Sequence, residues 1–138
     1  MTSDAVSEEQ VKTAANALIA AFGAHQTEDY FRAFRPDATF VFYSSPERFE
    51  SRAAYRAEWE RWEREDGFRV LACTSSEQMV QVVGDAAVFV HSLVTRVGLA
   101  AGEETVRERE TIVFARQNGG PWLAVHEHLS PAPGQSTG

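Results

Sequence analysis

The chain divides into two halves by the spacing of its apolar residues. In the first half Val11, Ala14, Ala15, Leu18, Ile19 and Phe22 recur every three to four positions, which predicts a helix from about Ser7 to Ala24. Ser7-Glu8-Glu9-Gln10 reads as its capping box and Gly23 as its end. His25 lies just beyond, where a cation suits a helix C-terminus. A short second helix opens at Thr27 and stops at Pro36, and a strand follows at Thr39–Tyr43. A third helix runs from Ser51 to Asp66-Gly67. Tyr55, Trp59 and Trp62 share one face of it, while Arg56, Glu60, Arg61, Arg64 and Glu65 form i,i+4 ion pairs around the rest.

The second half is β-rich. Phe68–Val83 is a strand interrupted at Ser75-Ser76, where a bulge is expected, and Gly84-Asp85 is a tight hairpin turn. Strands at Ala86–Val97 and Glu104–Arg116 are separated by a Gly98–Gly102 loop. Asn118-Gly119-Gly120-Pro121 then turns the chain into a last strand, Trp122–Ser130. Helices followed by an antiparallel meander predict an α+β fold. At 138 residues with no internal repeat, a single domain over 1–138 is expected, with frayed ends at 1–6 and 131–138.

In a strand, residues two apart share a face. Read by that parity, one face of the last hairpin carries Ile112, Phe114, Trp122, Ala124, His126 and His128. The other carries Thr111, Val113, Ala115, Leu123, Val125, Glu127 and Leu129. Both are apolar, so one face should meet the helices and the other a second layer; a homodimer through the sheet face supplies it, with covering by the third helix as the alternative.

Charge and cysteine content narrow the partners. A net charge of −7, with every arginine cluster interleaved with glutamates, argues against nucleic acid. No run approaches a membrane span, and Met1–Gln10 lacks the features of a signal peptide, so no membrane partner and a cytoplasmic location are expected. Cys73 is the only cysteine, which excludes an intrachain disulfide; its apolar context predicts an inert buried thiol.

The last strand, with Trp122, Val125, His126, His128, Ser130, Ala132 and Pro133, resembles the nuclear transport factor 2-like superfamily in its SnoaL-like branch. The same stretch is similar to the association domain of calcium/calmodulin-dependent protein kinase II. The resemblance covers Ser7 to Pro133 and implies helices held in a curved antiparallel sheet, a cone with one open end and a pocket for a small apolar organic ligand. It implies an isomerase, cyclase or dehydratase working by proton transfer, or equally a ligand-binding or assembly domain without chemistry.

The site expected from the residues has His126, His128 and His91 as acid/base groups, with Tyr43 donating to a carbonyl oxygen. Trp59, Trp62, Phe89, Leu93, Ile112 and Phe114 would shape the cavity. Satisfied, half-buried histidines are the plainer alternative, and a site of the three histidines with Glu110 is the metal alternative; no cofactor and no metal is the expectation adopted. Leu93, Ile112 and Leu129 stand where the kinase association domain has pocket arginines, which speaks against a carboxylate ligand. Ketosteroid-isomerase chemistry would need an acidic base with tyrosine and acid donors, and the strands offer no aspartate. Arg107-Glu108-Arg109-Glu110 reads as strand ion pairs, or as a buried Arg109 holding a carboxylate.

Overall fold

A computed structural model describes residues 3–134. Three helices, α1 (Ser3–Gly23), α2 (Thr27–Arg32) and α3 (Arg52–Asp66), combine with five strands. The strands are β1 (Phe34–Phe42), β2 (Arg69–Val83), β3 (Ala86–Leu99), β4 (Gly102–Ala115) and β5 (Leu123–Pro131), ordered β1-β5-β4-β3-β2 in one sheet. The expected α+β architecture is present, with one parallel pair, β1 with β5, in an otherwise antiparallel sheet. Among the described residues, no helix is long and apolar enough to cross a membrane.

The helices cover one face of the sheet: α1 lies on β2 and β3, and α3 on β1. α1 begins one turn earlier than its sequence suggests. Ser7 is therefore a buried helical residue on the Val11–Ala15–Leu18 face rather than a cap. Of the expected frayed ends, residues 3–6 are helical, Pro131 closes β5, and residues 1–2 and 135–138 lie outside the described residues. α3 follows its local signals closely. The Ser51 hydroxyl accepts from the Ala54 amide at 3.0 Å, and Gly67 ends the helix in the left-handed region at φ 66°.

His25 ties the first helix to the rest of the molecule. Its Nδ1 accepts the Val70 amide at 2.9 Å, its Nε2 meets Glu63 at 2.7 Å, and its ring stacks on Trp59 at 5.0 Å. Trp59, Tyr30, Tyr55 and Phe31 then pack across the top of the sheet, edge to face except for the tilted Tyr30–Trp59 pair, with ring centroids 5.0–6.2 Å apart. The aromatic stripe of α3 is thus mostly core, and it forms the roof of the site.

Of the register shifts in the sheet, two set the polar groups of that site. The expected one in β2 falls between Ser76 and Met79, with Glu77 at φ 53°. The other lies in β5. Phe114 pairs with Ala124 but Val113 pairs with His126, which leaves Val125 as an extra residue. Beyond Val125 the alternation of β5 inverts: Trp122 and Ala124 face the helices, and so do Glu127 and Leu129.

Candidate active site

Between the helices and the inner sheet face lies a half-open cavity of about 650 Å³. Its walls are mostly aliphatic and aromatic, with Leu18, Phe22, Trp59, Trp62, Phe68 and Leu93 prominent. Its charged lining is entirely acidic: Glu104, Glu108 and Glu110 from β4, and Glu127 from β5. Among the described residues, no lysine or arginine lines it.

Cross-strand rows set the depth of each group. Phe89, Ile112 and Glu127 form the deepest row, His91, Glu110 and Leu129 the next, and Leu93 with Glu108 the row toward the mouth. Tyr30 of α2 reaches down to Glu127, its hydroxyl 3.3 and 3.4 Å from the two carboxyl oxygens, and meets the Tyr55 hydroxyl at 2.9 Å. His91 Nε2 lies 2.7 Å from Glu110 Oε1, and its Nδ1 lies 2.7 Å from Ser75 Oγ. At the mouth, Tyr43 is 39% exposed and stands beside Glu108.

Burial without a compensating cation drives the protonation of these groups. Glu110 is pushed up to about 8 by burial and then by the neighbouring Glu108. Glu127, 2% exposed, is held well above the ordinary carboxyl range by burial and then by the charge of Glu110. Glu108 is raised by burial, against which the Tyr43 hydroxyl pulls it down. His91 is lowered to about 4 by burial, so its imidazole is neutral at ordinary pH. Burial raises Tyr30 and Tyr55 well above the usual phenol range, so both keep their protons as donors. It also pushes the Cys73 thiol up to about 11, an unreactive state.

The sequence expectations divide accordingly. Trp59, Trp62, Leu93, His91 and Tyr43 do line the cavity. Phe89, Ile112 and Phe114 have the right parity but sit below the floor, fully packed in the core. The inward placement of His126 and His128 is corrected, because the Val125 bulge turns both to the opposite sheet face. There His126 Nδ1 bonds the Thr39 hydroxyl at 2.8 Å, the His126 and His128 rings lie 5.9 Å apart, and His128 is exposed. Burial, then the charge of His128, lowers His126. A joint metal set of His91, His126 and His128 is corrected for the same reason: the sheet separates them, and no group of three His, Cys, Asp or Glu side chains among the described residues is arranged to hold a metal ion. Glu127 moves from the outer to the inner face, as does Leu129, and Arg109 is exposed rather than buried.

The groups missed in sequence are Glu108, Glu127, Tyr30, Tyr55 and Ser75. A signal for the first was present, since Arg107-Glu108-Arg109-Glu110 in a strand puts both glutamates on one face and both arginines on the other. The absence of a strand aspartate carried no weight, because glutamates fill that role on the inner face.

Comparison with known proteins agrees with the fold. A nuclear transport factor 2-like superfamily protein from Salmonella enterica superposes with a TM-score of 0.77 at 16% identity, covering 99% of this chain and 96% of its own. A nuclear transport factor 2-like protein from Cytophaga hutchinsonii gives 0.75 at 14% identity, covering 96% and 100%. A Catenulispora acidiphila protein, solved in complex with S-DNPA, gives 0.73 at 14% identity, covering 91% and 92%. No curated protein matches this chain. The model of the SnoaL-like domain matches residues 11–134, nearly the whole length, and the chain belongs to that family.

Proposed function

We propose that this protein catalyses proton transfer on a small, uncharged, hydrophobic carbonyl compound, as an isomerase, cyclase or dehydratase. The observation that carries this reading is the set of buried carboxyls in an apolar cavity with no facing cation. Such a site holds acid and base forms side by side near neutral pH. Glu110, in the ionised form that grows as the pH rises toward about 8, takes the proton next to the carbonyl. Glu127, still protonated and held in place by the Tyr30 hydroxyl that Tyr55 in turn supports, donates to the oxygen as negative charge develops there. Among the described residues, the lining offers no lysine or arginine to pair with a carboxylate or phosphate, which selects a neutral substrate. The half-open cavity falls within the usual size range of small-molecule sites, about 300–1,000 Å³. The ligand-bound Catenulispora acidiphila protein shares the fold, which favours a small-molecule occupant here too.

The test is proton exchange in deuterated water with a panel of hydrophobic ketones, read by mass and NMR. Deuterium entering at the carbon next to the carbonyl, faster than with heat-inactivated protein, is the expected result. Tight binding without exchange would make the cavity a ligand-binding module instead.

The proposal extends to assembly. The outer sheet face carries cross-strand rows that run Met79–Val90–Thr111–His128–Val41 and Gln81–Val88–Val113–His126–Thr39. Met79 is 54% exposed and nearby Val83 66%. A second copy docked on this face covers it. Light scattering is expected to give twice the subunit mass, and Val90→Glu, which puts a charge in the middle of the face, is expected to give the mass of one subunit.

A further inference from the structure

Glu110 is held from behind by a chain of hydrogen bonds that leads away from the cavity. The following inference rests on reading Glu110 as the base. We propose that Ser75 and His91 act as positioning residues that lock the imidazole in one tautomer, so that a ring N–H always faces the Glu110 carboxyl.

The assignment follows from donors and acceptors. A neutral imidazole has one N–H and one lone-pair nitrogen, and a hydroxyl has a single hydrogen to give. Gln78 Nε2 donates to Ser75 Oγ and to Asn16 Oδ1, each at 2.9 Å. Asn16 in turn is oriented by donating to the Lys12 carbonyl at 2.9 Å. Gln78 fills one lone pair of Ser75, and in the proposed arrangement the hydroxyl hydrogen points to His91 Nδ1, 2.7 Å away. In that arrangement the ring proton sits on Nε2 and faces Glu110 Oε1, 2.7 Å away. His91 is 1% exposed, so no bulk water competes for either nitrogen.

The β2 bulge makes the chain possible. Residues three apart in a regular strand face opposite ways, and Ser75 and Gln78 meet only because the register shifts between Ser76 and Met79. The left-handed backbone of Glu77 is part of that shift. A strained bulge in the middle of a long strand thus serves one end: it brings an amide donor onto the serine that orients the histidine.

The tautomer matters because it decides which form of Glu110 is favoured. An N–H aimed at the carboxyl stabilises the carboxylate; a lone pair aimed at it would favour the acid. The other groups that face or electrostatically influence Glu110 are Glu108 of β4, Glu127 of β5, Tyr30 of α2, Tyr55 of α3 and Cys73 of β2. None is a cation, so His91 supplies the stabilising donor.

The full-length protein without any substrate gives the test. Long-range ¹⁵N NMR of the His91 ring reports which nitrogen carries the proton, and ¹³C NMR of the Glu110 carboxyl reports its titration midpoint. Wild type is expected to show Nε2–H at neutral pH. Ser75→Ala is expected to populate Nδ1–H and move the Glu110 midpoint upward by about one pH unit. His91→Gln, whose amide can still donate, is expected to stay nearer the wild-type midpoint than His91→Leu. Nδ1–H in the wild type overturns the lock without any variant having to fold. An unchanged tautomer and midpoint in Ser75→Ala overturns it as well. Since no turnover is measured, either result is separate from whether Glu110 is the catalytic base.

Discussion

Glu110→Gln is expected to reduce the exchange of substrate protons with solvent by about 10²–10⁴-fold, the usual contribution of a positioned base. The substitution keeps the size of the side chain and an oxygen that can accept from His91 Nε2, so the hydrogen bond at 2.7 Å survives while the proton acceptor is lost. Because Glu110 is pushed to about 8, the wild-type rate should climb with pH and level off above that value. The residual rate of Glu110→Gln should lose this rise. Glu127→Gln separates the two roles: an amide still donates to the substrate oxygen, so its loss should be much smaller than that of Glu127→Leu. Thermal melting of each variant checks that the fold is intact. A Glu110→Gln protein that exchanges protons at the wild-type rate would remove Glu110 from the chemistry.

How far the sequence could lead depended on whether a signal was local. α3 was legible because its beginning and end are written in single residues, the Ser51 cap and the left-handed Gly67. The Gly84-Asp85 hairpin and the β2 bulge were legible for the same reason. The β5 bulge was not. Its position depends on how Val125 fits between β4 on one side and β1 on the other, and neither neighbour is adjacent in sequence. A strand whose apolar residues change phase at Val125 looked like a strand with two buried faces. One skipped residue was enough to exchange His126 and His128 for Glu127 and Leu129, and with them the chemistry of the cavity. Tyr30 and Tyr55 were visible as core aromatics, but their meeting over Glu127 depends on the packing of α2 and α3 over the sheet.

The same buried groups make stability depend on pH in an unusual direction, falling as the solution becomes more alkaline. Glu110 ordinarily titrates near 4.5, and in the folded protein near 8. Between those values the native state holds a proton that the unfolded chain has released, so raising the pH favours unfolding, by at most about 1.4 kcal/mol per pH unit. His91 acts oppositely. Lowered from 6.5 to about 4, it refuses a proton that the unfolded chain takes, so its contribution grows with pH and is complete once the unfolded histidine is neutral. From about 4.5 to 6.5 His91 and Glu110 therefore offset each other. From 6.5 to 8 the Glu110 loss is unopposed, on the order of 2 kcal/mol, and Glu127, raised for the same reason, adds to it. Urea unfolding at a series of pH values should show its steepest fall in that window. Glu110→Gln, which has no proton to hold, should flatten the profile there and be more stable than wild type at pH 8. A wild-type profile that is level or rising from pH 6.5 to 8 would mean that these carboxyls are ionised in the folded protein, and that the cavity contains a compensating charge or solvent strong enough to keep them so.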